Sequence, residues 1–565
     1  MYEDYFKLPI HYNNDKVQLN KNIVDDLELI KTVDSSSNSI YSYYFNNDNE
    51  LSNKMVEQIS KYYTTDKQFL KDNQTLLKTY TKLDNIKYSS DYKNILDIWN
   101  EIKMNNEFKE KYYYIDWSIF EFLNKSDIFL QCLSIINMTS PIISLITPII
   151  ILIVPFFYIK LYGLNLTINQ YITILKCLPQ TSSVINCFTK INEGNLQEKI
   201  YVFVSVGFYL FSIYQNIALS IKTYTNILNI HKYFKEIKNY LNYTIQSMEQ
   251  YLKFSNNLST FREFNNVLHY KIKILTDIRN KLSVVSELKS NNYNKIFEIG
   301  YILKCFYELH ENKIYNEAIM YSFGFNGYLD CIEGLIYNIK NKQINYCDFI
   351  NNSKKVVFKN SYYACLKDLK HVKNNIKLNK NLIVSGPNAS GKTTVLKTTL
   401  INIIFSQQFG CGFYDSAKLH PFNYIHCYLN IPDTSGRDSL FQAEARRCKE
   451  ILDIINLNKK DTHFCVFDEI YSGTNPDEAV ISATSFLKYL TKNKNVSCIL
   501  TTHFLKVCKN LNSNSDFLNC HMLTNINGND LKYMYKIKNG ISKIKGGVNV
   551  LRNLNYPTEI IQNAV

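Results

Sequence analysis

The stretch that most constrains this chain is Gly386-Pro387-Asn388-Ala389-Ser390-Gly391-Lys392-Thr393-Thr394, a G-x-x-x-x-G-K-[ST] loop. Asn381-Leu382-Ile383-Val384-Ser385 ahead of it reads as a short buried strand. Val395-Leu396-Lys397-Thr398-Thr399-Leu400-Ile401 behind it reads as the start of a helix. A loop in that setting can curl so that several backbone N–H groups face one phosphate, and the helix N-terminus adds its positive end. Lys392 would reach the β- and γ-phosphates, and the Thr393 hydroxyl would take one Mg²⁺ position. The spacing alone can arise by chance in a long chain. Downstream, however, Phe464-Cys465-Val466-Phe467-Asp468-Glu469 reads as a buried strand ending in paired carboxylates. Two acids at a strand end can serve solubility alone, but beside a phosphate loop they read as a Walker B strand. Asp468 then holds Mg²⁺ through water and Glu469 polarises the attacking water. The expectation is an enzyme that binds and hydrolyses a nucleoside triphosphate.

Further segments narrow the class. Ser435-Gly436-Arg437-Asp438-Ser439-Leu440-Phe441-Gln442-Ala443-Glu444 leads into a helix that includes Cys448 to Leu452. Ile470-Tyr471-Ser472-Gly473-Thr474-Asn475-Pro476 follows the carboxylates, and Cys498-Ile499-Leu500-Thr501-Thr502-His503 reads as a strand ending in histidine. This order resembles the MutS family, the ATPases of DNA mismatch repair and their relatives. The expected fold is therefore an α/β P-loop ATPase domain, ABC-like and of MutS type, at the C-terminus. An ABC transporter domain should carry Leu-Ser-Gly-Gly-Gln before Walker B, and this chain does not. An SMC-type ATPase should split its halves around a long coiled coil, which the short separation here precludes.

The resemblance implies roles for particular residues. Asn374, in Asn374-Asn375-Ile376-Lys377-Leu378, would meet the nucleotide, with His371 about where the family has an aromatic ring. Gly386, Pro387, Asn388, Ala389, Ser390, Gly391, Lys392, Thr393 and Thr394 would hold ATP. The usual Met-Gly-Gly-Lys-Ser is here Ala389-Ser390-Gly391-Lys392-Thr393. Thr393 and Asp468 would hold Mg²⁺, and Glu469 and His503 would be catalytic. Ser439 and Phe441 match a Ser-Thr-Phe signature in which Leu440 replaces Thr. The resemblance further implies a homodimer or heterodimer through the ATPase domain, with Ser439 of one subunit on the γ-phosphate of the other and Thr474-Asn475 at the seam. Alone, His503 would read as a satisfied core histidine; its place after Walker B favours a γ-phosphate sensor. Gly546-Gly547-Val548-Asn549-Val550-Leu551 and Leu554-Asn555-Tyr556-Pro557 also resemble the family's tail.

The preceding half reads as mostly α-helical, in segments 1–126, 127–222 and 223–350, before the ATPase domain at 351–565. Asp34 to Ser39 reads as a turn or cap. Between Asp127 and Lys160 no residue is charged, and Pro141 to Pro155 is as apolar as a membrane helix. Ile200 to Ile221 is a second uncharged run, weakened by Tyr209, Gln215 and Asn216. The two runs read as a transmembrane hairpin, the alternative being a buried helical pair. Tyr251, Leu252, Phe254, Leu258 and Phe261 recur at helical spacing. Ile319 to Tyr328, with Gly324 and Gly327, reads as a turn, and Asn341 to Asn352 as a hinge. The mismatch-reading domain of repair MutS is missing, and the Phe-x-Glu triplets at Phe108, Phe234, Phe261 and Phe306 read as chance.

A formal charge of +14 over 565 residues would favour an anionic partner. Asn, Lys, Ile and Tyr are abundant together, as AT-rich coding would give, and no dense basic run stands out. The 14 cysteines form no C-x-x-C pair and read as buried thiols in a reducing compartment. Met1-Tyr2-Glu3-Asp4-Tyr5 does not read as a signal peptide. Two functions follow as expectations. One is a MutS-like ATPase coupling ATP binding to dimer closure on double-stranded DNA, in mismatch repair or recombination. The other is a membrane-tethered ATPase switch whose ligand is not DNA. Either would be intracellular, membrane-associated, with the ATPase domain on the cytoplasmic side.

Overall fold

The computed structural model describes all residues except 1–3, 35, 48, 83–91, 164–166, 178–195, 286–296, 352–354, 430–438, 528–529, 545–551, 553–555, 558 and 561–565. Packing divides the chain into two units that are discontinuous in sequence. The first comprises 1–86, 246–272 and 319–565, and the second 87–245 and 273–318.

The first unit contains every described strand. Asn381–Ser385 (β6), Tyr424–Tyr428 (β9), His463–Asp468 (β10), Val496–Thr502 (β11), Phe517–Asn527 (β12) and Asp530–Asn539 (β13) form one sheet in the order β13-β12-β6-β11-β10-β9. All neighbours pair in parallel except β12 and β13, which form an antiparallel hairpin. Parallel strands buried on both faces should be continuously apolar, as Leu382-Ile383-Val384 and Phe464-Cys465-Val466-Phe467 are, with every one of these residues buried. Helices Lys392–Phe409 (α1), Leu440–Leu457 (α2), Pro476–Leu490 (α3) and Leu505–Leu511 (α4) cover the sheet. Cys465, Phe467, Cys498 and Leu500 face Ile451, Ala483, Leu487 and Val507 of α2, α3 and α4 in one core. A second sheet, β5-β4-β8-β3-β7, consists of Asn345–Phe349 (β3), Val356–Ser361 (β4), Asn374–Leu378 (β5), Cys411–Gly412 (β7) and Ser416–Leu419 (β8).

Residues 1–86 belong to this same unit. Lys16–Gln18 (β1) and Tyr62–Thr64 (β2) pair antiparallel, beside helices Ile40–Phe45, Glu50–Ile59 and Lys67–Thr79. Ser39 is the residue before the first of these three helices, as the Ser-rich turn predicted. This segment packs on α1, where Tyr44 and Phe405 bring their ring centroids within 3.6 Å. Gln408 donates to the carbonyls of Ile59 and Tyr62, both at 3.0 Å, and accepts from the Tyr41 hydroxyl at 2.8 Å.

Two sequence expectations are corrected here. Ile319 to Tyr328 is not a turn: helix Lys313–Lys340 runs through it unbroken. Its glycines serve close approach instead, since a Cβ at Gly324 would lie 2.3 Å from Phe6 Cβ and one at Gly327 2.5 Å from the Leu51 carbonyl oxygen. The supposed hinge at 341–352 contains β3, which pairs with β8 and β7.

The second unit is helical, as expected, with helices Tyr92–Met104, Phe108–Lys111, Asp127–Leu161, Ile168–Cys177 and Ile299–Glu311, and most of Leu196–Ser255. Helix Arg262–Ser283 contributes its second half. Phe108, Phe234 and Phe306 are buried here, and Phe261 is buried in the first unit, so none of the Phe-x-Glu triplets presents an exposed wedge.

Candidate active site

Strand register alone assembles the polar residues. β10 and β11 pair so that Asp468 lies opposite Thr501, and β11 and β6 pair so that Thr502 lies opposite Ser385. The phosphate loop after β6, the carboxylates after β10 and the histidine after β11 therefore leave one edge of the sheet together. Ligands of parallel α/β sheets bind at this carboxyl edge.

Gly391 caps α1 with φ +93°, a conformation L-residues rarely adopt, and a Cβ there would also crowd the Tyr535 ring at 3.2 Å. Lys392, at the first position of α1, is almost fully buried, at 5% side-chain exposure. Its ammonium donates to the carbonyls of Gly386 at 3.1 Å and Pro387 at 3.3 Å, and lies 3.3 Å from Glu469 Oε1. The Thr393 hydroxyl donates to Asp468 Oδ2 at 2.9 Å, and the Thr501 hydroxyl donates to Oδ1 of the same carboxylate.

Glu469 sits at φ +51°, a sparsely populated conformation for a non-glycine residue and a form of strain that clusters at active sites. Its N–H bonds the Thr501 carbonyl at 3.1 Å, which fixes the turn. Its carboxylate spans Lys392 on one oxygen and His503 Nδ1, at 3.4 Å, on the other. The His503 hydrogen bond and the Lys392 charge outweigh partial burial and hold the Glu469 carboxyl down to about 2. Glu469 is thus an ionised acceptor, suited to orient and polarise a water.

A metal and a phosphate can be tested against these groups. Thr393 Oγ1 and Asp468 Oδ2 are hard oxygen donors already brought to 2.9 Å, a pair that suits Mg²⁺ completed by water and phosphate oxygens. Ser390 Oγ is buried in the loop with no hydrogen-bond partner among the described residues, and a buried hydroxyl left in that state costs stability unless a ligand meets it. Both features fit a bound Mg²⁺-nucleotide.

Next to the loop is a cavity of about 310 Å³ lined by Tyr362, His371, Asn374, Thr394, Met522 and Tyr535, among others. His371 stacks on Tyr362 with ring centroids 4.1 Å apart and planes 11° apart. Asn374 lies on the wall, but its amide is engaged with β13, donating to Tyr535 O and accepting from Ile537 N, both at 2.9 Å. Sequence reasoning placed Asn374 and His371 here and missed Tyr362, Met522 and Tyr535. The Tyr362-Tyr363 pair was a signal near enough to find; nothing local marks Tyr535.

Ser439 and the Thr474-Asn475 pair are engaged elsewhere. Ser439 caps α2: its hydroxyl accepts from Gln442 N–H at 3.3 Å, and its N–H donates to Gln442 Oε1 at 3.0 Å. Asn475 caps α3, and Thr474 donates to Glu478 at 2.8 Å. Glu444 had no role assigned from sequence. Its buried carboxylate accepts Ser472 N–H at 3.2 Å, the Ser472 hydroxyl at 3.0 Å and Gly473 N–H at 3.2 Å, so it ties α2 to the loop after Glu469. Ser435 to Asp438 lie outside the described residues, as do Gly546 to Leu551, Leu554 and Asn555 of the tail.

Residues 382–565 match the family MutS domain V. DNA mismatch repair protein MutS of Persephonella marina (strain DSM 14350 / EX-H1) is 25% identical over 245 residues, which cover 42% of this chain and 28% of that protein. DNA mismatch repair protein Msh3 of Dictyostelium discoideum is 26% identical over 314 residues, 52% of this chain and 21% of that protein. Endonuclease MutS2 of Lactococcus lactis subsp. cremoris (strain MG1363) is 23% identical over 428 residues, 72% of this chain and 53% of that protein. The chain spans between about a fifth and a half of the length of these relatives. Residues 382–565 thus match a MutS domain V, and the chain that carries it is similar, at low identity, to proteins of DNA mismatch repair and to a MutS2 endonuclease.

Proposed function

We propose that this protein is a MutS-type ATPase in which ATP binding closes a dimer and hydrolysis reopens it. One observation carries the reading: Lys392, Thr393, Asp468, Glu469 and His503 converge at the carboxyl edge of the sheet, Thr393 bonded to Asp468, and Lys392 and His503 each paired with Glu469. Lys392 is held by Glu469 and two loop carbonyls. A triphosphate in the loop competes for that ammonium and frees one oxygen of Glu469, which then orients a water toward the γ-phosphate while His503 keeps the carboxylate aimed. Thr393 and Asp468 would hold Mg²⁺, which would supply positive charge against that of the phosphates. Adenine enters the cavity beside Gly391, against Tyr362 and His371. Ser439 and Thr474-Asn475 serve the partner subunit's nucleotide across the dimer seam.

Double-stranded DNA is the proposed ligand of the closed dimer, supported by the relatives named for DNA mismatch repair. The test is ATP hydrolysis by the full chain in detergent, with homoduplex, mismatched or branched DNA, at two salt concentrations, and Glu469→Gln as blank. Salt-sensitive stimulation by one DNA form is expected. A rate indifferent to all three would remove DNA and favour the second reading, a membrane-tethered switch.

A further inference from the structure

Helices Asp127–Leu161 and Leu196–Ser255 are built inside out. Across them Ser220 Oγ donates to Met138 O at 2.9 Å, Ser140 Oγ lies 3.3 Å from Asn216 O, and Tyr209 OH donates to Ser144 O at 3.1 Å. As one number rises the other falls, so the helices run antiparallel with their polar side chains between them. On the first helix Ile142, Ile143, Leu145, Ile146, Ile149, Ile150, Ile153 and Val154 are all exposed. At 100° per residue they cover roughly half the circumference, opposite Ser140 and Ser144. On the second, Phe203, Val204, Phe208, Leu210, Phe211, Tyr214, Ile217 and Ile221 are exposed over a comparable arc, with Gln215 within it and Ser212 at its margin. A helix pair made for water turns these faces the other way.

Proline gives a second, independent observation. Of the three prolines inside the first helix, Pro141, Pro148 and Pro155, the first two leave the carbonyls four residues earlier, Asn137 O and Ser144 O, without their usual N–H donors. Each receives a hydroxyl from within the pair: Ser140 Oγ at 2.9 Å from Asn137 O, and Tyr209 OH at 3.1 Å from Ser144 O. Water would solvate such carbonyls on an exposed helix without help; a hydrocarbon environment requires an internal donor. Of the polar residues that weakened the second run in sequence, Tyr209 supplies a hydroxyl to this seam and Asn216 a backbone carbonyl, whereas Gln215 is exposed.

Both helices pass from buried to exposed at one level. Leu130 and Ser134 are buried before the exposed Ile135 and Ile136, and Thr223, Asn226 and Ile227 are buried after the exposed Ile221. From there Ile135 to Ile159 spans about 37 Å and Ile200 to Ile221 about 33 Å, against a hydrocarbon core of about 30 Å. Charge reappears beyond each limit, at Lys160 and Lys199 on one side and Lys222 on the other, where lysines can meet anionic headgroups. Phe157, Tyr158 and Tyr162 are exposed at the far end.

We propose that residues 135–159 and 200–221 form a two-helix hairpin inserted across a lipid bilayer, sealed internally by the Ser140, Tyr209 and Ser220 hydroxyls. Both connections to the helical unit leave on the same face of the bilayer. The inference is independent of the ATPase reading, and its test does not use hydrolysis.

The full chain is reconstituted with phosphatidylcholine–phosphatidylglycerol vesicles and floated on a density gradient after high-salt and alkaline carbonate washes. It is expected to float after both. Release by either wash, or a monodisperse assembly in buffer without detergent or lipid, overturns the proposal; the latter assigns the faces to a second copy of the chain. Ile143→Lys combined with Ile150→Lys should lower the floating fraction at least tenfold, with the protease-resistant fragments of the parent retained as proof of folding. Undiminished flotation of that variant also overturns it. Tyr209→Phe should still float but melt at a lower temperature in vesicles, because the Ser144 carbonyl then has no donor; an unchanged melting temperature overturns the seam.

Discussion

Glu469→Gln separates two effects of one carboxylate. In the resting site Glu469 is ionised, held down to about 2 from an ordinary 4.5 by His503 first and Lys392 second. A depression of that size corresponds to about 3 kcal/mol between protonation states as a ceiling. The side chain is 33% exposed and His503 is the leading partner, so screening leaves about 1 kcal/mol for the Lys392 pair. An incoming triphosphate must take Lys392 out of that pair, and it also brings negative charge toward Glu469. Removing the charge should therefore tighten ATP binding about fivefold, while hydrolysis falls on the order of 10²-fold or more. A fluorescent ATP analogue titrated against both proteins, with Mg²⁺ and with EDTA, measures the first; phosphate release measures the second. The sign with pH follows from the depressed pKa: the carboxylate's contribution is complete above about 4.5 and fades as pH falls through about 2. The tightening should accordingly be the same at every pH from about 6 to 8. Unchanged or weaker affinity in Glu469→Gln would refute the competition between carboxylate and phosphate for Lys392, and retained hydrolysis would remove Glu469 from catalysis.

Lys392→Ala should abolish nucleotide binding in the same titration, and unaltered affinity would sink the phosphate-loop assignment. Tyr362→Ala opens the base cavity and unstacks His371, so ATP affinity should drop by about 1 kcal/mol, roughly fivefold, with inorganic triphosphate unaffected; equal losses for both ligands would place the base elsewhere. Ser439→Ala loses the α2 cap, worth about 1 kcal/mol of stability. It should leave single-subunit ATP affinity intact while ATP-dependent dimerisation disappears in sedimentation velocity; dimerisation undiminished by the substitution would reject the contact across the seam.

The parts of the site legible in sequence were those whose chemistry is local. A strand, a glycine-rich turn and a helix occur in one continuous stretch, and the carboxylates and His503 each end an apolar run whose direction fixes where the next side chain emerges. Tyr535 was illegible for the opposite reason. It reaches the cavity because β13 hairpins with β12, which itself pairs with β6, and no feature of Tyr533 to Tyr535 announces that partner. Gly324 and Gly327 were misread because glycine in sequence signals a turn or a close contact equally well, and only the packing of Phe6 and Leu51 decides between them. Tyr209 and Asn216 argued against an apolar helix until their opposite numbers across the pair were known.

The helix that begins the catalytic loop also explains why residues 1–86 belong to the ATPase unit. α1 carries Lys392 and Thr393 in its first turn, yet it has no solvent-facing stripe: 15 of its residues are buried, including Asn402, Ser406, Gln407 and Gln408. Such polar groups are tolerable only when each is satisfied. Asn402 accepts the Phe413 N–H at 2.8 Å, Ser406 Oγ meets the Tyr414 hydroxyl at 2.9 Å, and Gln407 donates to the Thr64 and Phe422 carbonyls at 3.2 and 2.9 Å. Gln408 completes the set with Ile59, Tyr62 and Tyr41. Three of these four side chains thus have partners from the first 86 residues, since Asn402 Oδ1 also accepts from the Tyr44 hydroxyl at 3.4 Å, and a helix fixed by directional bonds at its far end cannot slide independently of that segment. Adjustment to the phosphate must therefore fall on the groups before α1, the Gly386 to Gly391 loop and the strained Glu469 turn, or be passed as a whole-helix displacement to the strand and helices of the N-terminal segment.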